Sequence, residues 1–145
     1  MIDTATTNDL EELLQLYTYL HSNTMPKLDD EITKIWSAIM AEPNHFIIVA
    51  KEENRIISSL VLVLIPNLTH NQRPYGIIEN VITHPDYRKM GYAGACLDYA
   101  REIAKRAGCY KLMLMTGSKE ESTLHFYEQA GYNQKDKTAF IQWLD

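Results

Sequence analysis

The chain has 145 residues, 46% hydrophobic and 23% charged, a composition that fits one folded domain and excludes an intrinsically disordered protein. Its formal net charge of −5 argues against wholesale nucleic-acid binding, although a local basic patch can still take a small anionic ligand. No apolar run reaches the ~18 residues that a membrane span needs, and the first residues, MIDTATTNDLEEL, show no basic-then-apolar secretory leader.

In chain order, IDTAT reads as a short first strand. In TNDLEELLQLYTYLH, Leu10, Leu13, Leu14, Tyr17 and Leu20 recur at helical spacing, with Thr7 or Asn8 placed to cap the start and Glu11 and Glu12 suited to the positive end of the dipole. Pro26 interrupts the pattern. DDEITKIWSAIMAEP then sets Ile32, Ile35, Trp36, Ile39 and Met40 on one face of a second helix closed by Pro43. HFIIVAKEENRIISSLVLVLI reads as two β-branched runs about a polar KEEN turn, a hairpin. A polar loop, PNLTHNQRP, follows at 66–74. YGIIENVIT (75–83) is the next strand, ending where Pro85 forbids a regular ladder and holds His84 extended.

Behind it, Ala93, Leu97, Ala100, Ala104 and Ala107 mark a long helix stopped by Gly108. YKLMLMT (110–116) predicts a strand, with its methionines in the core. STLHFYEQAGY (122–132) predicts a short helix closed by Gly131, and TAFIQWLD a final strand alternating in and out. The order β-α-α-β-β-β-α-β-α-β predicts one α/β (α+β) domain over residues 1–145. Its mixed sheet of about six or seven strands should be antiparallel at first and parallel across the long helix, with about four helices in all. Cys96 and Cys109 form neither a CxxC nor a His-paired metal motif, so two lone thiols in a reducing cytoplasm are expected.

The stretch that carries chemistry is residues 79–94, ENVITHPDYRKMGYAG. The first N–H groups of a helix lack internal acceptors, and the helix dipole adds roughly half a positive charge there. Gly91 and Gly94 let the backbone close on an anion, and Arg88 and Lys89 add charge, a combination suited to phosphate. A glycine-tightened turn before a closely packed helix would use the same residues. RKMGYAGA lacks the lysine-hydroxyl ending of a Walker turn, and Gly91-x-x-Gly94 alone is not the Gly-x-Gly-x-x-Gly dinucleotide fingerprint.

Arg88-x-x-Gly91-x-Ala93 after VITHPDY resembles the Arg/Gln-x-x-Gly-x-Gly/Ala signature of the GNAT superfamily of acetyl-CoA-dependent N-acetyltransferases. The element order, GCYKLML and FYEQAGY are similar to that family over nearly the whole chain, nearest in flavour to its glucosamine-phosphate N-acetyltransferase type. The resemblance implies that the pyrophosphate of acetyl-CoA lies on the turn. Main-chain donors from Lys89, Met90, Gly91, Tyr92, Ala93 and Gly94 would hold it, with Arg88 beside them. Val81, Ile82 and Thr83 would pair with the pantetheine arm as a further strand would, helped by a bulge. Thr123 stands where many relatives carry an asparagine that touches the pantetheine.

The resemblance further implies Tyr127 as the acid that protonates the departing thiolate. Glu79 is the candidate base, directly or through a water, because an acid within IIENVI is cheaper facing a cleft than buried; it could also sit on an exposed sheet face or pair with Arg73. Asn80 points the other way if the strand is regular, and His84 reads better as a turn residue than as a base. The acceptor would meet the loop of Asn67, Thr69, His70 and Arg73, which reads equally as a solvated loop. The expected reaction moves acetyl to the primary amine of a small molecule. The alternatives are a protein or peptide acceptor and a non-catalytic acyl-CoA sensor. No metal, nucleic acid or membrane is implied. Family members often pair through late strands, which leaves room for a homodimer.

Overall fold

The computed structural model describes residues 1–21 and 24–145. Strand β1 (Ile2–Thr4) leads into a 3-10 turn at Thr7–Asp9, helix α1 (Leu10–Tyr17) and helix α2 (Asp30–Ala41). Strands β2 (His45–Glu52), β3 (Arg55–Ile65) and β4 (Tyr75–Thr83) follow, then α3 (Tyr92–Arg106), β5 (Leu112–Leu114) and α4 (Glu121–Gln129). The strands form one sheet in the order β1-β2-β3-β4-β5; the first three pairings are antiparallel and β4–β5 is parallel, with α3 as its crossover. The mixed sheet and the four helices match the expectation.

The β2–β3 hairpin turns on Glu53 and Asn54, with φ of 48° and 64°. Both residues of the two-residue turn are left-handed, the geometry whose twist suits paired strands. The continuous apolar runs of β2 and β3 then serve both faces of the sheet. On one face Ile48, Ile57, Leu60, Leu62 and Ile78 pack against Cys96, Leu97, Ala100 and Ala104 of α3. On the other, Ile47, Val49, Ile56, Val61 and Ile82 meet Leu13 and Leu16 of α1 and Trp36 of α2. Full burial of each such aliphatic side chain stabilises the fold by about 1.5–3 kcal/mol.

Three expectations are corrected. The sheet has five strands among the described residues, not six or seven, because TAFIQWLD makes no ladder. Its apolar residues come in adjacent pairs, Phe140–Ile141 and Trp143–Leu144, so no single sheet face would bury them all, and all four are exposed. Thr6 precedes the first helical segment instead of Thr7 or Asn8. It is the residue with extended dihedrals, and its N–H donates to the Asp9 carboxylate at 2.8 Å. Finally, Ile35 of α2 faces solvent, while Trp36 is buried and its indole N–H donates to the Thr7 carbonyl at 3.1 Å.

Candidate active site

β4 and β5 are paired only at Gly76–Leu112, Ile77–Met113 and Ile78–Leu114. A Cβ built on Gly76 would lie 2.6 Å from Leu112 Cδ2 and 3.1 Å from Leu62 Cδ1, so this short junction is closed by the lack of a side chain. Beyond it β5 ends, while β4 runs on to Thr83. The two strands therefore part company, leaving residues 79–83 without a ladder partner on the β5 side.

The strand is also irregular there. Val61 pairs Glu79 and Ser59 pairs Ile82, so one residue of β3 faces two of β4, and Asn80 sits at φ 54°. This is a bulge, and it changes the reading of Asn80. Cross-strand partners share a face, so Glu79, opposite Val61, is directed to the α1–α2 side. Asn80 is directed there too, where its side chain and that of Ser59 meet the hydroxyl of Tyr17. Burial pushes the Tyr17 hydroxyl up to about 12, the two partners opposing the shift. Val81 faces the α3 side. Glu79 and Asn80 are exposed, Val81 and Thr83 half-buried, and Ile82 is buried in the α1–α2 core.

At the end of β4 the chain turns through Pro85–Tyr87 into α3. His84 caps this turn, its Nδ1 accepting from the Asp86 N–H at 3.1 Å, and its ring lies edge-on to Tyr19 and Tyr87. Arg88 turns back, Nε donating to the Thr83 carbonyl at 3.1 Å. Lys89 has φ 61°, and Gly91, the residue before the helix, has φ 89°. The first helical bond runs from the Ala95 N–H to the Gly91 carbonyl at 3.0 Å. None of the N–H groups from Arg88 to Gly94 finds an acceptor among the described residues. A Cβ added at Gly91 or Gly94 would meet nothing within 4 Å. Arg88, Lys89, Met90 and Gly91 are exposed, and Ala93 and Gly94 half-buried. Tyr92 leans over the α3-side core with its hydroxyl donating to Glu52 Oε1 at 2.8 Å, a bond that pushes its own ionisation upward.

Across the gap from β4, the segment after β5 forms a hydroxyl cluster. Ser118 Oγ donates to Thr123 Oγ1 at 3.2 Å, and the Ser118 N–H donates to Thr116 Oγ1 at 3.2 Å. Thr123 and Tyr127 stand one turn apart on α4 and share a helix face. Tyr127 packs beside Phe126 and Tyr132 on the α3-side core, and burial pushes its phenol up. Its hydroxyl makes no hydrogen bond to another described residue.

The 66–74 loop belongs to the other end of β4. Arg73 Nε and one terminal nitrogen donate to the Gly108 and Cys109 carbonyls, both at 3.0 Å, so it pairs neither with Glu79 nor with an open cleft. His70 stacks on Tyr110 at 3.9 Å, and Asn67 Nδ2 donates to Thr69 Oγ1 at 2.9 Å. Arg73 lies six positions before Glu79 and ahead of the start of β4 at Tyr75, a separation of up to about 20 Å along an extended chain. The structure thus gathers the glycine turn, the open β4 edge, the bulge and α4, and keeps Asn67, Thr69 and Arg73 apart from them. Sequence reasoning missed Tyr17, whose helical spacing read as core, and the Thr116–Ser118 hydroxyls, which carry no motif.

The acetyltransferase (GNAT) family model matches residues 8–132. Over 83 residues the chain is 35% identical to a glucosamine 6-phosphate N-acetyltransferase of Trypanosoma brucei brucei, covering 57% of this chain and 54% of that protein. The chain thus spans about half the length of this curated relative. A solved protein of Agrobacterium tumefaciens str. C58, described as a candidate acetyltransferase, superposes with a TM-score of 0.90 at 35% identity, covering 99% of both chains. Glucosamine-6-phosphate N-acetyltransferase from Arabidopsis thaliana shares the fold, with a TM-score of 0.87 at 21% identity over 100% of this chain and 98% of that one.

Proposed function

From the premise that the chain belongs to the acetyltransferase (GNAT) family, we propose that it moves acetyl from acetyl-CoA to the primary amine of a small molecule. The observation that carries this reading is the row of unanswered N–H groups from Arg88 to Gly94, opening directly beyond the free edge of β4.

Lys89 to Gly94 would hold the pyrophosphate by main-chain donors at the positive end of α3, with the charge of Arg88 beside them. Val81, Ile82 and Thr83 would offer backbone groups to the pantetheine arm, and Thr123 one hydroxyl across the gap. The cofactor supplies an acetyl group activated as a thioester. The protein's main contribution is to hold the amine and that acyl carbon together, since orientation alone lowers a barrier by several kcal/mol.

Proton transfers add a smaller share. Glu79 and Asn80 lie on the α1–α2 side of the bulge, and Tyr127 lies on the α3 side. An amine arriving over α1 would therefore give its proton toward Glu79, directly or through a water, while the departing sulfur takes one from Tyr127. Burial keeps the Tyr127 phenol protonated across the neutral range, as a donor must be. Asn80, beside Tyr17, would border the acceptor. The relative's name makes amino-sugar phosphates the first acceptors to try. The two free thiols suit a reducing compartment such as the cytoplasm.

The test is calorimetry with CoA alongside thiol release over a panel of amines. Gly91→Glu should abolish CoA binding with the far-UV spectrum unchanged, since it puts a carboxylate before the donors. Unchanged affinity would remove the cradle. Tight CoA binding with no turnover on any amine would replace the enzyme by a sensor.

A further inference from the structure

Between β5 and the start of α4 the hydroxyls of Thr116, Ser118 and Thr123 are linked by bonds whose direction is fixed. The Glu120 N–H donates to Ser118 Oγ at 3.2 Å, and an amide hydrogen can only be given. Ser118 Oγ therefore accepts there, and its own hydrogen goes to Thr123 Oγ1, also at 3.2 Å. The Ser118 N–H donates to Thr116 Oγ1 at 3.2 Å, which pins the serine from its other end. Ser118 and Thr123 are both half-buried.

Thr123 Oγ1 thus receives a hydrogen and still has its own to give, yet it donates to no described residue. A threonine in a helix commonly returns that hydrogen to a carbonyl one turn back. Here the Glu120 carbonyl already accepts from the N–H groups of Thr123 and Leu124, both at 3.1 Å, so its two lone pairs are taken. Tyr127 stands one turn further along the same face of α4, about 6 Å up the axis, and its hydroxyl also meets no described residue. The face of α4 turned to the gap therefore carries two unused donors.

We infer that Ser118 is a positioning residue for the acyl-CoA arm: by making Thr123 Oγ1 an acceptor, it turns the Thr123 hydrogen into the gap, toward an amide carbonyl of the arm. The inference rests on the reading that pantetheine lies between β4 and α4. Carbonyls along an extended chain point alternately to its two sides, so an arm paired with β4 has an acceptor to offer on the α4 side as well. An asparagine at this position would present an N–H donor unaided, whereas a lone hydroxyl rotates and both gives and accepts. Ser118 removes that ambiguity, and two hydroxyls do the work of one carboxamide. The rotor is ordered before the arm arrives, so less freedom is lost on binding.

The test is calorimetry on the full chain, comparing CoA with 3′-phospho-ADP, which keeps the pyrophosphate and lacks the arm. Ser118→Ala should weaken CoA about 5-fold, the size of one hydrogen bond, and leave 3′-phospho-ADP within about 2-fold of the parent. Thr123→Val should weaken CoA by a like factor, and adding Ser118→Ala to it should change nothing further, because Ser118 acts only through Thr123. Thr123→Asn in the Ser118→Ala background should restore the parent affinity, which a merely frayed start of α4 would not allow. Equal CoA affinity in the parent and Ser118→Ala would overturn the positioning role and leave the acetyltransferase reading in place. So would a loss shared by 3′-phospho-ADP, additive losses in the double variant, or no recovery with Thr123→Asn. A parent chain that binds neither compound would overturn both.

Discussion

Tyr127 and Gly91 show how differently two residues of one site announce themselves. Gly91 is legible because its φ of 89° is one that L side chains rarely adopt, so a motif that places glycine there states a backbone requirement. Tyr127 carries no such backbone mark: a half-buried aromatic at helical spacing is ordinary core, and what singles it out in the sequence is the likeness of FYEQAGY to the family's segment, to which the structure adds a hydroxyl that meets no partner among the described residues. As the proposed proton donor it should be replaceable at a cost. Tyr127→Phe should lower turnover about 100-fold with CoA affinity unchanged, measured by thiol release and calorimetry; wild-type turnover in that variant would end its role. Because burial raises its pKa, ionisation of Tyr127 should depress the rate only on the alkaline side, above pH ~10. Asn80 was legible as a polar residue but not in its direction. The bulge that turns it toward α1 arises from a register mismatch with β3, and one strand's sequence does not contain its partner's register.

Among elements, the hairpin and the β4–β5 junction are the most exposed to test. KEEN marked the turn, yet Glu53 is a poor left-handed residue, a conformation that costs roughly 1–2 kcal/mol for a side chain other than glycine, asparagine or aspartate. Glu53→Asn with Asn54→Gly should therefore raise stability by about 1 kcal/mol, read as a higher denaturation midpoint with the same slope. At the junction the sign reverses. Gly76→Ala drives a methyl into Leu112, whose contact belongs to a pairing of only three residues. Stability should fall by about 1–3 kcal/mol. CoA affinity should fall with it, since β5 sets the width of the gap; a variant as stable as the parent would show that the junction yields freely. The ends of α3 and α4 were readable because Gly108 and Gly131 stand where a helix hands its last carbonyls to the following N–H groups, as the bonds from Cys109 to Ala104 and from Tyr132 to Tyr127 do.

At the scale of the molecule, the sheet separates two cores, and the first residues of the chain are tied to it by a charge pair. Lys51 Nζ lies 2.7 Å from the Asp9 carboxylate. Burial pushes Asp9 up, but the bonds from Lys51 and Thr6 and the charge of Lys51 outweigh it, so its pKa is lowered. A carboxylate depressed in the folded state contributes fully above its unfolded pKa of ~3.9 and loses that contribution as pH falls through the folded value. Asp9→Asn should thus cost about 2 kcal/mol at pH 7, the gap to wild type staying level down to pH ~5 and closing below pH ~4 in denaturation experiments. A gap that persists at pH 2 would assign the loss to packing.

Local sequence alone determined most elements, their order and the glycine turn, because hydrophobic period, caps and breakers act over a few neighbours. It also carried the family resemblance, since the motif requires particular backbone conformations at particular positions. What only the tertiary structure decided is everything that needs two distant segments at once. It removed Arg73 from the cleft by seating it on the carbonyls that follow α3, brought Tyr17 to the bulge, parted β5 from β4, and left TAFIQWLD unpaired. A strand pattern records that a segment wants a partner, but the partner is a property of the folded sheet.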